Sequence, residues 1–409
     1  MEEQRKEKRK YSPAVRVIIM FGIISMLGDM IYETARSANS QYLNLLGISA
    51  AQVGLVFGIG EFLGYFLRLI AGLLSDKTGR PWLFMFIGYS FLIAVPIMGF
   101  TQNWNWLIVL ILMERIGKSI RNPAKDTVLS EVAENEVGVG FAFGLQEALD
   151  QIGAFLGPLI FTAVFYFKNR QTLPEYQLGY KLLFVPFVLL ILFLIFAHNN
   201  MPEIRHDDAK MNAGLKSDNL NRIFWLYTAF TFFASLGFMN FSIIGYHLKE
   251  IDLISDGNIT LIYSMAMAID AITAIILGKT YDKKKELSSN RAAGLKVLII
   301  IPILSMILSF LGLSNNITLI IIAMIVFGIV MGAHETIMRS AIADITPYNK
   351  RGTSYGIFNT GYGIALLIGS SLMGYLYQIG KVDIIIIFTV VVEIVAIILY
   401  RKIVSKLDE

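Results

Sequence analysis

The chain has 409 residues, of which 55% are hydrophobic and only 16% are charged, with a formal net charge of +4 and a mean hydropathy of +0.61. Soluble globular chains carry about 25% charged residues, so this composition predicts a membrane protein. The chain contains no cysteine, which excludes disulfides, catalytic thiols and cysteine-bound metals.

The chain begins with a basic segment, MEEQRKEKRK, which is followed by a long apolar stretch. This stretch has no clear cleavage site of small residues, so we interpret it as a retained helix rather than a signal peptide. We therefore expect residues 1–13 to form a basic cytoplasmic tail. Such a tail anchors membrane topology, and we expect no nucleic-acid partner.

Twelve segments are long and apolar enough to cross a bilayer, which takes about 20 mainly apolar residues. We number them span one to span twelve. In chain order they are 14–46, 50–75, 82–101, 105–127, 138–167, 178–198, 222–249, 257–281, 292–312, 316–345, 351–378 and 382–402.

The charges of the short loops predict the orientation of these spans. The loops after spans two, eight and ten carry Lys or Arg, and Lys125 lies near the end of span four, whereas the loops after spans one, three and nine carry neither. The positive-inside rule therefore places both termini in the cytoplasm. The loop after span five is an exception, because it holds Lys168 and Arg170.

A polar segment divides the chain into two halves. Residues 199–221 show no hydrophobic periodicity and are predicted to be a cytoplasmic linker. We predict an all-α membrane protein with two pseudo-symmetric six-helix bundles, at 14–198 and 222–402, and a cytoplasmic tail at 403–409. Paired halves of this kind are common in transporters that alternate access around a midplane site.

The segment GLLSDKTGR, which follows span two, links the chain to a known family. Its residues Gly72, Asp76, Gly79 and Arg80 match the loop motif of the major facilitator superfamily, which the chain resembles over essentially its whole length. The resemblance implies a secondary transporter with twelve helices in two bundles. It also implies a cytoplasmic latch, in which Asp76 meets the positive N-terminal end of span eleven in the outward-open state. A plain basic turn is the alternative.

Two other motifs of this family are present in part. Arg115 resembles the arginine of the fourth-helix motif, but Ser119 stands where that motif usually has a glycine. Gly153, Gly157 and Pro158 resemble the fifth-helix motif associated with antiporters, although the glycine pair expected after it is absent. The resemblance therefore favours antiport.

Charged residues interrupt the spans of the first half at helical spacing. Asp29, Glu33 and Arg36 lie at i, i+4 and i+7, on one face of span one. Lipid does not accommodate such groups, so these faces should turn toward one another and toward water. The predicted charge network of this cavity consists of Arg36, Glu61, Arg68, Glu114, Arg115 and Lys118.

Four further carboxylates of this cavity, outside that network, are candidates for coupling transport to protons. Asp29, Glu147 and Asp150 have no cationic partner on their own helix, and we add Glu33 to them. A carboxylate withdrawn from water can exchange a proton near neutral pH. Acidic groups outnumber basic ones in this half of the cavity, which favours a cationic solute.

Structural roles compete with functional ones for several of these charges. Glu33 with Arg36, and Glu114 with Lys118, have the spacing of ion pairs within a helix. A purely structural ion pair is an equal alternative for each. Arg68 and Arg121 lie close to the cytoplasmic ends of their spans, where long basic side chains snorkel toward water, and for Arg121 we favour this interpretation over a functional one.

The second half carries fewer polar residues within its spans. We predict that it supplies the substrate side of the cavity, because spans seven to nine are otherwise rich in Ile, Met and Phe. The candidate substrate-facing residues are Asn240, Asp270, His334, Glu335 and Asn359.

Other chemistries have no support in the sequence. It contains no GxxxxGK[ST] loop for ATP, and His334-Glu335 lacks the second histidine of an HExxH zinc motif. The remaining histidines do not cluster with carboxylates at metal-ligand spacing. We expect no enzymatic activity, no cofactor and no bound metal.

The residues and the resemblance together predict secondary active transport of a small polar or cationic organic solute by alternating access. Proton-coupled export is the first choice and proton-coupled uptake the alternative. A non-transporting membrane receptor or assembly protein of the same fold is the alternative from another class. The partners would be the solute, protons and the bilayer. We expect a monomeric, multi-pass protein of the plasma membrane, whose substrate the fold does not identify.

Overall fold

The structure is a computed structural model that describes residues 13–134, 139–200, 222–287, 291–346 and 351–408. Within these ranges every regular element is a helix. The predicted basic tail, apart from its last residue, and the predicted linker, apart from residues 199 and 200, lie outside the described residues.

The first half of the chain forms spans one to six. Its helices are α1 (Pro13–Leu45), α2 (Ala50–Thr78), α3 (Pro81–Ser90), α4 (Ala94–Ile97), α5 (Trp104–Glu134), α6 (Val139–Leu156), α7 (Leu159–Lys168), α8 (Leu173–Leu182) and α9 (Phe184–Asn199). Short 3-10 turns at Phe91–Ile93 and Met98–Phe100 complete span three. Span four is α5, whereas α6 with α7 forms span five and α8 with α9 forms span six.

The second half forms spans seven to twelve. Its helices are α10 (Arg222–Leu236), α11 (Phe241–Glu250), α12 (Asp256–Glu286), α13 (Ile300–Leu311), α14 (Ile317–Ile345), α15 (Arg351–Gln378) and α16 (Val382–Asp408). Helices α10 and α11 together form span seven, and a 3-10 segment at Arg291–Ile299 precedes α13 in span nine. The predicted all-helical, twelve-span architecture in two halves is confirmed. The last helix continues to Asp408, beyond the predicted end of span twelve at residue 402.

Span four differs from the other spans in its composition. Eleven spans in the described part of the chain are long and apolar enough to cross a membrane, and α5 is the exception. It has 31 residues, which is ample length, but it carries several charges. Those charges are internal, since Glu114, Arg115, Arg121 and Lys125 are only 2–7% exposed. Span four is the least apolar span because it lines a polar interior.

Each half has its own large cluster of buried apolar side chains. One cluster is built mainly from spans seven to twelve and the other mainly from spans one to six. Many other Leu, Ile and Phe side chains are exposed on the outside, with Phe167 90% exposed. An apolar outer surface is what contact with lipid requires.

Glycines bring spans one and five into contact at the level of the backbone. A Cβ atom at Gly153 would lie 2.1 Å from the Met26 carbonyl oxygen, and one at Gly157 would lie 2.4 Å from that of Met30. Small residues permit this approach between membrane helices. Pro158 separates α6 from α7, because proline has no N–H to donate.

The two halves are joined at the end of the bundle that lies opposite the described chain ends. We call this the far end, and the other the terminus end. The hydrogen bonds that join the halves there include Asn44 to Glu250 (2.5 Å), Tyr176 to Asp256 (2.7 Å), Thr162 with Thr260 (2.8 Å) and Tyr246 to the Ile48 carbonyl (3.0 Å). The far end is therefore closed.

The contact between spans one and five predicts a position-specific effect of adding a methyl group to α6. Gly153→Ala should lower the free energy of unfolding by about 1–3 kcal/mol, because the methyl group overpacks the contact with span one. Gly144→Ala on the same helix is the matched control, since no atom lies within 4 Å of its added Cβ. Thermal unfolding in detergent measures both, and equal stability of the two variants would contradict the packing argument.

Candidate functional site

A cavity of about 350 Å³ lies between the two halves. This volume lies within the range of small-molecule sites. Its carboxylates are Asp29, Glu33, Glu61, Glu147, Asp150, Asp270 and Glu335. Its basic side chains are Arg36, Arg68, Arg115, Lys118, Arg121 and Lys125. The cavity thus collects nearly all of the predicted charge network in one place. In the first half, however, six basic side chains line it against five carboxylates, so the predicted excess of acidic groups in this half is wrong.

The cavity opens toward the terminus end. Glu147 and Glu335, which line it on opposite halves, are exposed. Glu33 and Asn240, which line it deeper in the bundle, are 7% and 8% exposed. With the far end closed, this conformation has one open side.

Arg115 connects spans one, two and four at the wall of the cavity. Its Nη1 lies 2.9 Å from Glu61 Oε1, and its Nε lies 3.3 Å from Glu114 Oε2. It also donates a hydrogen bond to the Tyr32 hydroxyl, and its guanidinium lies over the Tyr32 ring. Because the side chain is 4% exposed, these partners compensate a charge that would otherwise be very unfavourable there.

Lys125 and three carboxylates form a second cluster, between spans one, four and five. Lys125 Nζ lies 3.8 Å from Asp150 Oδ2 and donates to Ser25 Oγ at 2.7 Å. Asp29 and Glu147 both lie close enough to Asp150 to interact with it electrostatically. The other oxygen of Asp150 is buried and accepts no hydrogen bond from any described residue. This cluster therefore has room for a further positive charge.

Lys118 does not pair with Glu114, although the two residues are four positions apart on α5. Glu114 contacts Arg115 instead and lies outside the cavity lining. The Lys118 ammonium lies over the Tyr32 ring, 3.6 Å from its centroid, and interacts electrostatically with Asp29 and Glu33. The structural ion pair considered for Glu114 and Lys118 is therefore wrong.

Glu33 joins the two halves near the deep end of the cavity. It lies 3.6 Å from Arg36, as the spacing on span one predicts. The Tyr263 hydroxyl of α12 donates a hydrogen bond of 2.5 Å to Glu33 Oε2. Sequence periodicity predicted the pair within the helix, but it could not identify a partner on the other half.

The second half contributes four of its five predicted residues to the lining. Asp270 is 2% exposed, and its Oδ1 has no hydrogen-bond partner among the described residues. His334 Nδ1 lies 3.0 Å from the Tyr362 hydroxyl, and Asn240 donates to Ser370 at 2.6 Å. Glu335 lies at the mouth, whereas Asn359 is outside the lining.

Two basic residues of span four that were not predicted as site residues also line the cavity. Arg121 is 2% exposed and lies over the Tyr89 ring, so it turns inward rather than snorkelling. Lys125 forms the cluster with Asp150. Both follow Glu114 and Lys118 at helical spacing, and this shared face was the signal that could have identified them.

The loop motif between spans two and three is accessible in this conformation. Gly79 has a φ of 62°, so it ends α2 in the left-handed conformation that glycine adopts without strain. Gly72 packs against Pro123 of α5, and Arg80 is exposed. The Asp76 carboxylate is exposed and forms no hydrogen bond or ion pair with a described residue. Among the described residues, it therefore makes no latch contact in this conformation.

A family model for the Major Facilitator Superfamily matches residues 18–302 and 289–407. The chain belongs to the major facilitator superfamily. A protein of Mycobacterium tuberculosis strain H37Rv, described as uncharacterised, is 32% identical over 392 residues, which cover 94% of this chain and 92% of that protein. An uncharacterised MFS-type transporter of Methanocaldococcus jannaschii is 26% identical over 371 residues, 88% of each chain.

Solved structures share the fold of this superfamily member. A bacterial homologue of the human lysosomal transporter Spinster, inward-facing and unoccupied, superimposes with a TM-score of 0.73 at 13% identity, covering 97% of this chain and 98% of that one. A variant of the nucleoside transporter NupG gives a TM-score of 0.74 at 16% identity, covering 94% and 99%. Membership of the superfamily, rather than this likeness of fold, makes the chain a multi-pass membrane transporter.

The hydrogen bond from Tyr263 to Glu33 predicts that removing this one hydroxyl destabilises the protein. Tyr263→Phe should lower the free energy of unfolding by about 1–3 kcal/mol, because it leaves a buried carboxylate without its donor. Tyr166→Phe is the control, since Tyr166 also donates across the halves, to Asn258, but at an exposed site where water can replace the partner. Thermal unfolding of both variants measures the difference, and similar losses would show that burial is unimportant here.

Proposed function

We propose that this transporter is a proton-coupled antiporter of the plasma membrane that exports a small polar solute with a positive group. The observation that supports this most directly is the cluster of Asp29, Glu147 and Asp150 around Lys125, in the wall of a cavity between two halves. The positive-inside rule assigns the terminus end to the cytoplasm. The conformation described above is then inward-open.

The cluster provides a physical basis for exchange. One buried oxygen of Asp150 accepts no hydrogen bond from a described residue, and Asp29 and Glu147 lie close enough to act on it electrostatically. Either a proton or the ammonium group of a solute can bind there, but both compete for the same oxygens. A site that binds one or the other in turn exchanges them across the membrane when the two halves alternate. The partial fifth-helix motif also favours antiport.

The second half supports the choice of a positive solute. Among the described lining residues of this half, Asp270 and Glu335 are charged and no Lys or Arg is present. The aromatic rings of Phe238 and Tyr362 lie beside them and can contact a cation through their π faces. An amine would therefore find carboxylates on both halves, which helps to draw the halves together around it.

Replacing the coupling carboxylates should remove the competition between protons and solute. The probe is a panel of alkylamines, choline and polyamines, added to purified protein at low and high pH. A ligand that binds the folded state raises the apparent melting temperature by mass action. In the parent protein, the apparent affinity for a binding amine, obtained from the shift in melting temperature, should fall about tenfold as pH falls. Asp29→Asn and Asp150→Asn should each reduce this pH dependence.

Transport of the amine identified in this way is then followed in proteoliposomes with a trapped pH indicator. Antiport predicts that movement of the amine across the membrane in one direction is accompanied by movement of protons in the opposite direction. Glu175→Gln is the control, because glutamine keeps the capping contacts at the start of α8. Intact coupling in both Asp variants would exclude the proposed site. Parallel movement of amine and protons would indicate uptake, and binding without proton flux would indicate a receptor.

The loop motif predicts a kinetic effect without a stability effect. Asp76→Asn should slow turnover several-fold, because the latch with span eleven stabilises the outward-open state. The melting temperature of the inward-open protein should stay the same, since Asp76 is exposed here. Lys77→Gln, at the adjacent exposed position, is the control. Unchanged turnover in Asp76→Asn, measured with the same amine, would refute the latch.

A further inference from the structure

Glu393 is a buried carboxyl group that lies outside the cavity. It belongs to α16, is 0% exposed and is not among the residues that line the cavity. Neither of its oxygens has a hydrogen-bond partner in the part of the chain that the structure describes. It occurs alone in an apolar run, VVVEIVAI, so no charge pattern in the sequence singled it out.

The Glu393 side chain packs directly against a break in span seven. Span seven is interrupted between α10 and α11, and Gly237 is the first residue of that break. A Cβ atom at Gly237 would lie 2.6 Å from Glu393 Oε1. Leu236, the residue before Gly237, is packed against α15: a Cβ atom at Gly369 would lie 2.4 Å from the Leu236 carbonyl oxygen. The break is therefore held between spans eleven and twelve.

The surroundings of Glu393 contain hydroxyls but no counter-charge. Ser305 of α13 is its polar neighbour. Thr389, one turn earlier on α16, is fully buried, and its hydroxyl has no partner among the described residues. The charged or titratable side chains along the packed helices include Arg222, Tyr227, Lys296, Tyr362, Tyr400 and Arg401. None of these described groups acts electrostatically on Glu393.

A carboxylate in such a place is strongly disfavoured in its ionised form, because it is fully buried and no described cation compensates its charge. We propose that Glu393 is a second proton-binding site, separate from the cavity, which holds a proton in this conformation and releases it when the break in span seven rearranges. The ligand is the proton itself. This site depends on neither the transported solute nor the direction of transport proposed above.

The break also connects this site to the cavity. Asn240 closes the break, lines the cavity and donates a hydrogen bond of 2.6 Å to Ser370 of α15. Ser370 follows Gly369, which packs on the other end of the same break. A rearrangement that admits water or a donor to Glu393 must therefore move Asn240 as well. The break, residues 237–240, thus links proton binding at Glu393 to the shape of the cavity.

The absence of native cysteine makes a direct conformational test straightforward. Spin labels on cysteines introduced at Lys77 and Lys283, which are exposed at the terminus ends of spans two and eight, report the opening between the halves. In the parent, we expect the distance distribution to shift with pH. Glu393→Gln, which stays neutral, should keep the low-pH distribution at high pH. Asp383→Asn, an exposed change on the same helix, should behave as the parent.

The same measurement in an Asp29→Asn, Asp150→Asn background separates this site from the cavity cluster. A pH-dependent shift that persists there and disappears on adding Glu393→Gln supports the second site, whether or not the antiport proposal holds. A shift that is lost with the two aspartates and unaffected by Glu393→Gln would overturn it. So would a parent protein whose distances do not change with pH.

Infrared spectroscopy tests the protonation state without relying on conformation. The parent near neutral pH should show the carbonyl stretch of a protonated carboxylic acid, which is absent from Glu393→Gln. Glu393→Asp keeps a carboxylic acid and should shift the frequency of this stretch. This variant replaces Glu393→Gln in the test if the glutamine variant does not fold. A difference spectrum between parent and variants without this band would show an ionised Glu393 and contradict the proposal.

Discussion

The buried positive charge of Arg115 sets the arrangement of the first half. In an apolar interior surrounded by lipid, a guanidinium needs partners within the protein. Glu61 comes from span two, Glu114 from span four itself and Tyr32 from span one, so neutralising Arg115 requires these three helices to face one another. The other basic residues of the same face of α5 then line the cavity. Compensation of the Arg115 charge thus helps to fix which side chains of α5 line the cavity.

Backbone-level contacts between helices complete this arrangement. The glycines of α6 let span five lie against span one, which brings Asp150 beside Lys125 and within electrostatic reach of Asp29. A comparable contact joins the halves, where a Cβ at Gly54 of α2 would lie 2.3 Å from the Ser370 carbonyl oxygen. The two halves therefore touch at the level of the backbone as well as through side-chain hydrogen bonds.

Periodicity predicted what lies along one helix, and it failed where partners come from different helices. The span order and the inward face of span one followed from apolar length and from a repeat of 3.6 residues. The pair of Glu114 and Lys118 was misassigned because the Lys118 ammonium lies over Tyr32 of span one, while Glu114 contacts the adjacent Arg115. Tyr263 and Glu393 could not be found at all. One is an ordinary aromatic residue whose partner lies 230 positions away, and the other is a lone acid in an apolar run.

The proposed proton site at Glu393 changes the roles assigned to the two halves. The charge pattern suggested proton coupling in the first half and solute contact in the second, because the second half carries few charges in its spans. However, ionising a single acid without a counter-charge changes the energy of the surrounding structure more than ionising an acid in a network, where neighbouring cations compensate the new charge. If the second half titrates through Glu393 while the first half exchanges protons at Asp29 and Asp150, then both walls of the cavity respond to protons. Coupling becomes a property of the contact between the halves, where Asn240 lines the cavity and Tyr263 binds Glu33, rather than of one cluster.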